Sequence, residues 1–145
     1  ASIHTNNAAG AIVSLINMGI EPFLLTTALK FVSAQRLARV NCDHCKGVYE
    51  PPEELLKRLD APRSIKFYRS EGCEHSNGTG TKGREGIHEV LLITKRIQEL
   101  ILQKPSDDQI NKIATEEGML NLRQAALERV YEGKISIEEA LRLTE

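Results

Sequence analysis

Apolar residues recur along this chain with two periodicities, and each periodicity predicts a type of secondary structure. After Thr5 or Asn6, either of which can cap a helix, apolar residues follow at helical spacing as far as Gly19, which favours a left-handed stop. A second helix opens at Glu21-Pro22, where proline suits the first helical position, and is expected to end near Lys30.

A two-residue alternation predicts strands at Phe31–Arg39 and at Arg84–Ile93. The stretch between them, residues 41–83, is loop-rich, with prolines, turn-forming glycines and little apolar core of its own. We predict three helices after residue 93. Helix start signals stand at Thr94, Ser106, Asn121 and Ser136. These patterns together predict a mainly α fold with a few β-strands.

The composition is that of an ordinary globular protein. Hydrophobic residues make up 41% of the 145 positions, and no apolar run reaches the roughly 18 residues of a membrane-spanning helix. Nineteen basic residues against twenty acidic ones give a formal net charge of -1. Because nucleic-acid binders carry a broad basic footprint, we expect no nucleic acid among the partners.

The first residues suggest that the sequence begins inside a fold. There is no initiator methionine, and Ala1–Thr5 has the pattern of a strand end that enters a helix. We therefore expect a fragment of a longer protein, with the truncation being either natural or engineered.

The three cysteines form the sharpest chemical feature of the sequence. Cys42 and Cys45 are two residues apart, a spacing that lets both thiolates wrap one metal ion but that redox pairs also use. The same spacing starts at Cys73 and ends at Ser76. The cysteine pattern is therefore that of a metal knuckle with a serine in the fourth position.

The fourth ligand is the open question of this motif. Serine is a poor zinc ligand because its hydroxyl stays protonated. His75 or His44 can supply a nitrogen, water can complete the site, or the loops can pack without metal. If zinc is bound, it closes the long loop between Cys45 and Cys73 and is structural.

Several segments resemble the bacterial ATPases of type II secretion and type IV pilus assembly. The similarity covers essentially the whole chain, in order, and is closest to the secretion and pilus-extension motors. It is carried by Ser2–Ala9 (a histidine box), Met18–Leu25, Ala34–Leu37, Cys42–Cys45, Gly78–Leu91 and Gly118-Met119.

The resemblance implies a fold, a function and a location. It implies the C-terminal part of a P-loop (RecA-like) ATPase domain, with a cysteine module like a zinc knuckle and a helical tail. The whole protein is then a hexamer at the cytoplasmic side of the inner membrane, peripheral to it. There it works with platform proteins and uses ATP and magnesium to drive protein transport or pilus assembly.

The sequence departs from the family pattern in two places. It contains no G-x-x-x-x-G-K-[ST] phosphate loop and no acidic stretch ahead of the histidine box, so the chain alone is expected to be inactive. The second departure is Ser76, which stands where the family pattern has its fourth cysteine.

Candidate roles follow residue by residue from the resemblance. His4 matches the histidine box, where an imidazole can sense the terminal phosphate. Arg36 and Arg84 match basic positions that either reach phosphate or pair with Glu89. Without the family, a helix-entry histidine that bonds to backbone is the simpler interpretation of His4.

The resemblance also divides the chain into three segments. Residues 1–40 form the end of the nucleotide-binding core, residues 41–83 the cysteine module, and residues 84–145 a returning strand and a helical subdomain. The alternative is a stand-alone, metal-stabilised interaction module that binds a membrane platform protein. A small redox protein has less support, because the sequence before Cys42 lacks a thioredoxin-like strand pattern.

Overall fold

The computed structural model describes residues 3–145, and this range holds seven α-helices and four strands. In chain order they are α1 (Ala8–Asn17), α2 (Pro22–Ala28), β1 (Phe31–Asn41), β2 (Lys46–Tyr49), α3 (Glu53–Arg58), β3 (Phe67–Ser70), β4 (Thr81–Leu92), α4 (Lys95–Leu102), α5 (Asp107–Glu116), α6 (Leu122–Tyr131) and α7 (Ile137–Thr144). The chain is therefore a mixed α/β structure. Of the expected strand end at residues 1–5, Ala1 and Ser2 lie outside the described residues, and residues 3–5 are irregular.

Helix α1 begins later than the sequence pattern indicates. Its N-cap is Asn7, whose side chain accepts the Gly10 N–H at 2.7 Å. Neither Thr5 nor Asn6 is the cap, and the Thr5 hydroxyl instead donates to the Asn7 carbonyl at 2.9 Å. Gly19, with φ 92°, follows the helix in the left-handed conformation that was predicted for it.

Helix α2 starts as predicted and ends early. Pro22 occupies its first turn, and Ala28 rather than Lys30 is its last residue. The next residue, Leu29, is extended, and the Lys30 carbonyl accepts the Ile93 N–H at 3.0 Å. The Lys30 carbonyl therefore lies outside the helix and pairs with a distant segment.

Four helices follow β4, so the prediction of three was wrong. Each of the four start signals precedes a helix. Three of the signal residues are N-caps whose hydroxyls accept a backbone N–H three residues ahead: Thr94, Ser106 and Ser136. Helix α6 begins at Leu122, directly after the fourth signal, Asn121.

Strands β1 and β4 pair in a two-stranded sheet. Exposed residues alternate with more buried ones along most of β1, which confirms the period-two pattern at Phe31–Arg39. The structure extends this strand to Asn41. It also starts β4 at Thr81, before the predicted Arg84.

The segment of residues 41–83 is more ordered than its glycine and proline content suggests. Strands β2 and β3 pair antiparallel, with Lys46 opposite Ser70 and Tyr49 opposite Phe67. Helix α3 lies between them. The segment also buries apolar side chains of its own: Leu55, Leu56, Leu59 and Phe67. The helical spacing of the three leucines is a signal that the loop-forming residues obscured.

The first of two compact units comprises Ala1–Ala34 and His88–Asn121. Within it, α2 packs on α4, and α5 packs on both α1 and α4. Its core is almost entirely aliphatic. The most buried members are Ala9, Ile12, Leu91, Ile97, Ile101 and Ile110.

The second unit comprises Gln35–Ile87 and Leu122–Glu145. It holds the β2–β3 hairpin, the cysteines, and helices α6 and α7, which pack on each other. Asn41 ties the first cysteine loop into this unit: its N–H donates to the Lys134 carbonyl at 2.8 Å, and its side-chain amide to the Gly133 carbonyl at 3.3 Å. The start of the first cysteine loop, residues 42–45, is therefore anchored to the turn that joins α6 and α7.

Candidate metal centre

Three cysteines from different parts of the second unit meet at one point. Cys42 directly follows β1, Cys45 precedes β2, and Cys73 follows β3. Their sulfur atoms all lie within 4.8 Å of one another, and the Sγ atoms of Cys42 and Cys73 are 3.8 Å apart. All three are free thiols; Cys42 is buried and the other two are half-buried. The structure thus brings together the three predicted ligands.

Backbone hydrogen bonds hold the first cysteine loop. The Cys42 N–H donates to the Gly80 carbonyl at 3.0 Å, and the Cys45 N–H turns back to the Cys42 carbonyl at 3.3 Å. The Ser70 hydroxyl donates to the same Cys42 carbonyl at 3.0 Å. The backbone of Cys42 is therefore held by Ser70 and Gly80, which lie on either side of the loop that contains Cys73, and Cys45 is held through Cys42.

The second loop is a tight turn that needs glycine at two positions. Gly72 and Gly80 have φ of 113° and 75°, which side chains rarely adopt. A Cβ on Gly72 would lie 2.4 Å from the Gly78 carbonyl oxygen, and one on Gly80 only 2.3 Å from that of Ser70. The sequence indicates turns at Gly78, Gly80 and Gly83, all three of which have positive φ. It does not reveal the close backbone approach.

The surroundings of Cys45 and Cys73 shift the pKa values of these two thiols in opposite directions. Burial disfavours the Cys73 thiolate, but hydrogen bonds from the Ser76 hydroxyl and the other thiols outweigh it and lower the pKa of Cys73 to about 7. Burial raises the pKa of Cys45. An easily ionised Cys73 is what a metal-binding thiol requires, because the thiolate is the ligand.

The two histidines of the loops stack on each other. The ring centroids of His44 and His75 are 3.8 Å apart with 21° between the planes, and both residues are exposed. Among the described residues, the group with ligand atoms within 4.8 Å consists of the three cysteines and includes neither histidine. Ser76, the remaining candidate for the fourth position, is buried at the end of the second loop.

The donor set and its spacing fit zinc. Two thiolates on one tetrahedral zinc ion, each about 2.3 Å from it, lie about 3.8 Å apart. The separation of the Cys42 and Cys73 sulfurs is 3.8 Å. Soft thiolates are also the ligands of structural zinc sites. Cys42, Cys45 and Cys73 are thus compatible with zinc.

None of the other predicted site residues, His4, Arg36 and Arg84, belongs to the cysteine group. His4 is exposed ahead of α1. Arg36 is half-buried on β1 and donates to the Gln35 carbonyl at 3.1 Å. Arg84 is exposed on β4.

One buried carboxylate has a role that the sequence did not indicate. Glu89, predicted only as a partner for an arginine, is 3% exposed, and its Oε1 accepts the Ala8 N–H at 2.9 Å. A carboxylate at this place satisfies a free N–H of α1 and faces the positive end of the helix dipole. Its signal in the sequence is an acidic residue at a buried position of the β4 alternation.

The family model that describes type II/IV secretion system proteins matches residues 1–142. The chain belongs to that family. This confirms the membership that the histidine box and the cysteine pattern predicted.

Named relatives of the type II/IV secretion family match the same span. The chain is 40% identical to a type IV pilus assembly ATPase PilB of Thermus thermophilus. The matched segment is 17% of the length of that protein. The chain is 39% identical to a type II secretion system ATPase E of Vibrio cholerae and covers 29% of it. Each alignment includes 99% of this chain. The chain therefore spans less than a third of these relatives. Across residues 3–145, no helix is both long and apolar enough to cross a membrane.

Proposed function

We propose that this chain is the C-terminal part of the ATPase domain of a hexameric motor that powers type II protein secretion or type IV pilus assembly by ATP hydrolysis. The observation that carries the proposal is the identity of 40% and 39%, over 99% of the chain, to proteins named as ATPases of these two systems. The mixed α/β fold is consistent with part of a P-loop (RecA-like) domain.

The nucleotide and its magnesium ion belong to the longer protein in this proposal. A P-loop ATPase holds the phosphates with G-x-x-x-x-G-K-[ST], and these 145 residues do not contain that sequence. We expect the isolated chain to bind ATP weakly, if at all. Titration with ATP measures this directly, and tight binding would contradict the assignment of this segment.

Within the motor, three residues are assigned to the nucleotide side of the domain. His4, exposed ahead of α1, is the histidine-box residue that acts near the terminal phosphate. Arg36 and Arg84 either contact phosphate or hold the fold through an acidic partner. Residues 1–40 then complete the nucleotide-binding core.

The cysteine module of residues 41–83 has a structural role in this proposal. A zinc ion held by Cys42, Cys45 and Cys73 joins the end of β1, the start of β2 and the turn after β3. Its binding free energy then contributes to the stability of the module. Residues 84–145 follow as the returning strand and the helical subdomain.

The motor is proposed to sit at the cytoplasmic side of the inner membrane as a peripheral protein, in contact with a platform protein and not with nucleic acid. A formal net charge of -1 supports the last point. The alternative of a stand-alone interaction module is not favoured, since the family match runs through residues 1–142.

A chimera tests the proposed function. The matching segment of the Vibrio cholerae type II secretion system ATPase E is replaced by this chain, and ATP hydrolysis is measured beside the parent. We expect the chimera to form the parent's oligomer and to hydrolyse ATP. His4→Ala in the chimera is expected to lower kcat by about 10²-fold or more, the scale of a lost group that stabilises charge.

His88→Ala is the matched control, because His88 is also exposed and has no role in the proposal. It is expected to leave ATP hydrolysis unchanged. A chimera that assembles but shows equal activity with and without His4 would overturn the role of His4. A folded chimera without any hydrolysis would overturn the assignment of the segment.

A further inference from the structure

The two loops of the cysteine module repeat one pattern with a single exception. The first reads Cys42-Asp43-His44-Cys45 and the second Cys73-Glu74-His75-Ser76, with an acidic residue and a histidine in the same places. The histidines at the matching positions stack on each other. The acidic residue changes only from aspartate to glutamate, so the last residue is the one whose chemistry differs, a thiol in one loop and a hydroxyl in the other.

The hydroxyl of Ser76 is fully used by the backbone around it. A hydroxyl offers one proton and two lone pairs. The Oγ accepts the N–H groups of Cys73 at 3.0 Å and Gly80 at 3.1 Å, and donates to the Cys73 carbonyl at 3.1 Å. The Cys73 sulfur, at 3.8 Å, is a second acceptor within reach of the same proton. Neither lone pair is left for a metal ion.

Breaking these bonds to coordinate an ion is costly. Ser76 and Gly80 are both buried, so a Gly80 N–H released from the hydroxyl would lose its hydrogen bond in a poorly solvated place. The contact with the Cys73 N–H is also half of the capping box of the turn at Glu74–Ser76, whose other half is the Cys73 side chain accepting the Ser76 N–H. Ser76 therefore shapes the loop as a hydrogen-bonding residue and not as a ligand.

The histidines do not supply the missing ligand either. Imidazole nitrogens coordinate in the plane of the ring, and the planes of His44 and His75 are stacked with 21° between them. The two stacked rings therefore do not both coordinate one ion, and neither histidine has a ring nitrogen within 4.8 Å of all three sulfurs. Among residues 3–145, the ligand group of this site contains only the thiols of Cys42, Cys45 and Cys73.

We propose that the zinc site of this chain has three protein ligands, Cys42, Cys45 and Cys73, and an open fourth position that takes a small neutral donor. This rests on the zinc binding proposed above. Cys45 and Cys73 are half-buried, so a small molecule reaches the site from solvent. Three thiolates on a divalent ion leave one net negative charge, which favours water or an imidazole over an anion.

Cobalt(II) in place of zinc makes the fourth position visible. The full chain is loaded with cobalt, and its d–d and sulfur-to-cobalt absorption is followed as imidazole is added. We expect the bands of the unaltered chain to shift with imidazole and not with an equal ionic strength of chloride. Ser76→Cys closes the site: its charge-transfer intensity per cobalt rises by roughly one-third, in proportion to the number of Co–S bonds, and imidazole has no effect.

Two further measurements complete the design. Ser33→Cys adds a fourth thiol at an exposed position of β1 and is expected to behave like the unaltered chain. Zinc affinity, measured by competition with a chromophoric chelator, is expected to rise on the order of tenfold or more in Ser76→Cys and not in Ser33→Cys. If Ser76→Cys does not fold, the imidazole titration of the unaltered chain decides alone.

The outcomes separate this inference from the proposal it rests on. Cobalt binding without a response to imidazole would overturn the open position and leave the metal site standing. If a response then appears in His44→Ala or His75→Ala, that histidine is the fourth ligand. A folded chain that binds neither cobalt nor zinc would overturn both the open position and the zinc part of the proposed function.

Discussion

The core of the first unit and the cysteine loops of the second are stabilised in different ways. The core is a set of aliphatic side chains from four helices and from the end of β4, in which many weak contacts add up. The loops depend on single atoms: the hydroxyl of Ser76, the missing Cβ of Gly80 and the amide of Asn41. The stability of the first-unit core therefore depends on how much side-chain volume is packed there. The stability of the cysteine loops depends on individual atoms and on close backbone contacts.

A spectroscopic difference between the units makes this comparison measurable. All three tyrosines, Tyr49, Tyr68 and Tyr131, lie in the second unit, and the chain has no tryptophan. Tyrosine fluorescence therefore reports unfolding of the second unit, while far-UV circular dichroism reports the helices of both.

The largest expected effect is a cavity in the first unit. Ile97 on α4 is fully buried, so Ile97→Ala is expected to lower the free energy of unfolding by about 2–5 kcal/mol. Denaturant titration followed by circular dichroism measures this loss. Leu102→Ala on the same helix is the control, because Leu102 is 52% exposed and is expected to change stability little. Equal losses in both variants would contradict a volume-dependent core.

The next effect concerns the backbone of the second cysteine loop. Gly80→Ala places a Cβ 2.3 Å from the Ser70 carbonyl oxygen at a φ of 75°, and we expect a loss of about 2–4 kcal/mol. Gly78→Ala is closely matched, since Gly78 has φ 76° but nothing within 4 Å of the added Cβ. It is expected to cost about 1 kcal/mol from backbone strain alone. Similar tyrosine-detected losses for both would show that the close approach is unimportant.

A pH-dependent effect is expected at Glu139 of α7. Burial disfavours its carboxylate, but hydrogen bonds from the Arg142 side chain and the Arg39 N–H outweigh it and lower the pKa of Glu139. The stability this adds is present above the ordinary glutamate pKa and is lost as pH falls through the lowered one. Glu139→Gln is expected to cost about 1–2 kcal/mol at neutral pH and little in acid.

Denaturant titrations between neutral and acidic pH measure this difference. Glu128→Gln on α6 is the control, because Glu128 is exposed, and its stability profile is expected to follow that of the unaltered chain. An unchanged acid dependence in Glu139→Gln would show that the carboxylate is not the titrating group.

The smallest effect compares one helix cap from each unit. Ser106→Ala removes the cap of α5, and Ser136→Ala removes the cap of α7. Each is expected to cost about 1 kcal/mol, because both hydroxyls accept one otherwise unpaired N–H. If the units unfold separately, Ser136→Ala shifts the tyrosine transition and Ser106→Ala does not. Equal shifts of both transitions would show that the units unfold as one.

Local signals in the sequence were sufficient for much of the fold. The caps at Thr94, Ser106 and Ser136 and the stop at Gly19 depend on neighbouring residues, and the structure has all four. The count of three helices failed although every start signal was present. Helix α2 ends two residues before Lys30, near the predicted position, and no local signal indicates that the Lys30 carbonyl pairs with Ile93, far along the chain.

In the candidate site, too, local signals predicted some features and distant contacts decided others. The spacing of Cys42, Cys45 and Cys73 predicted a cluster of candidate metal ligands, and their sulfurs lie together in the structure. The sequence left the role of Ser76 open, because its partner Gly80 N–H lies outside its own turn and only the folded loop brings it near. The β4 alternation marks Glu89 as a buried acid, but its partner Ala8 is 81 positions away and no local signal identifies that partner.

The odd number of thiols has a practical consequence for handling the protein. All three cysteines are free, and their sulfurs lie together. Whichever two of them an oxidant joins, one thiol remains without a partner in its own chain, and Cys45 and Cys73 are accessible enough for a second molecule to reach. Aged preparations are therefore expected to contain disulfide-linked dimers, which non-reducing electrophoresis separates and a reductant returns to single chains.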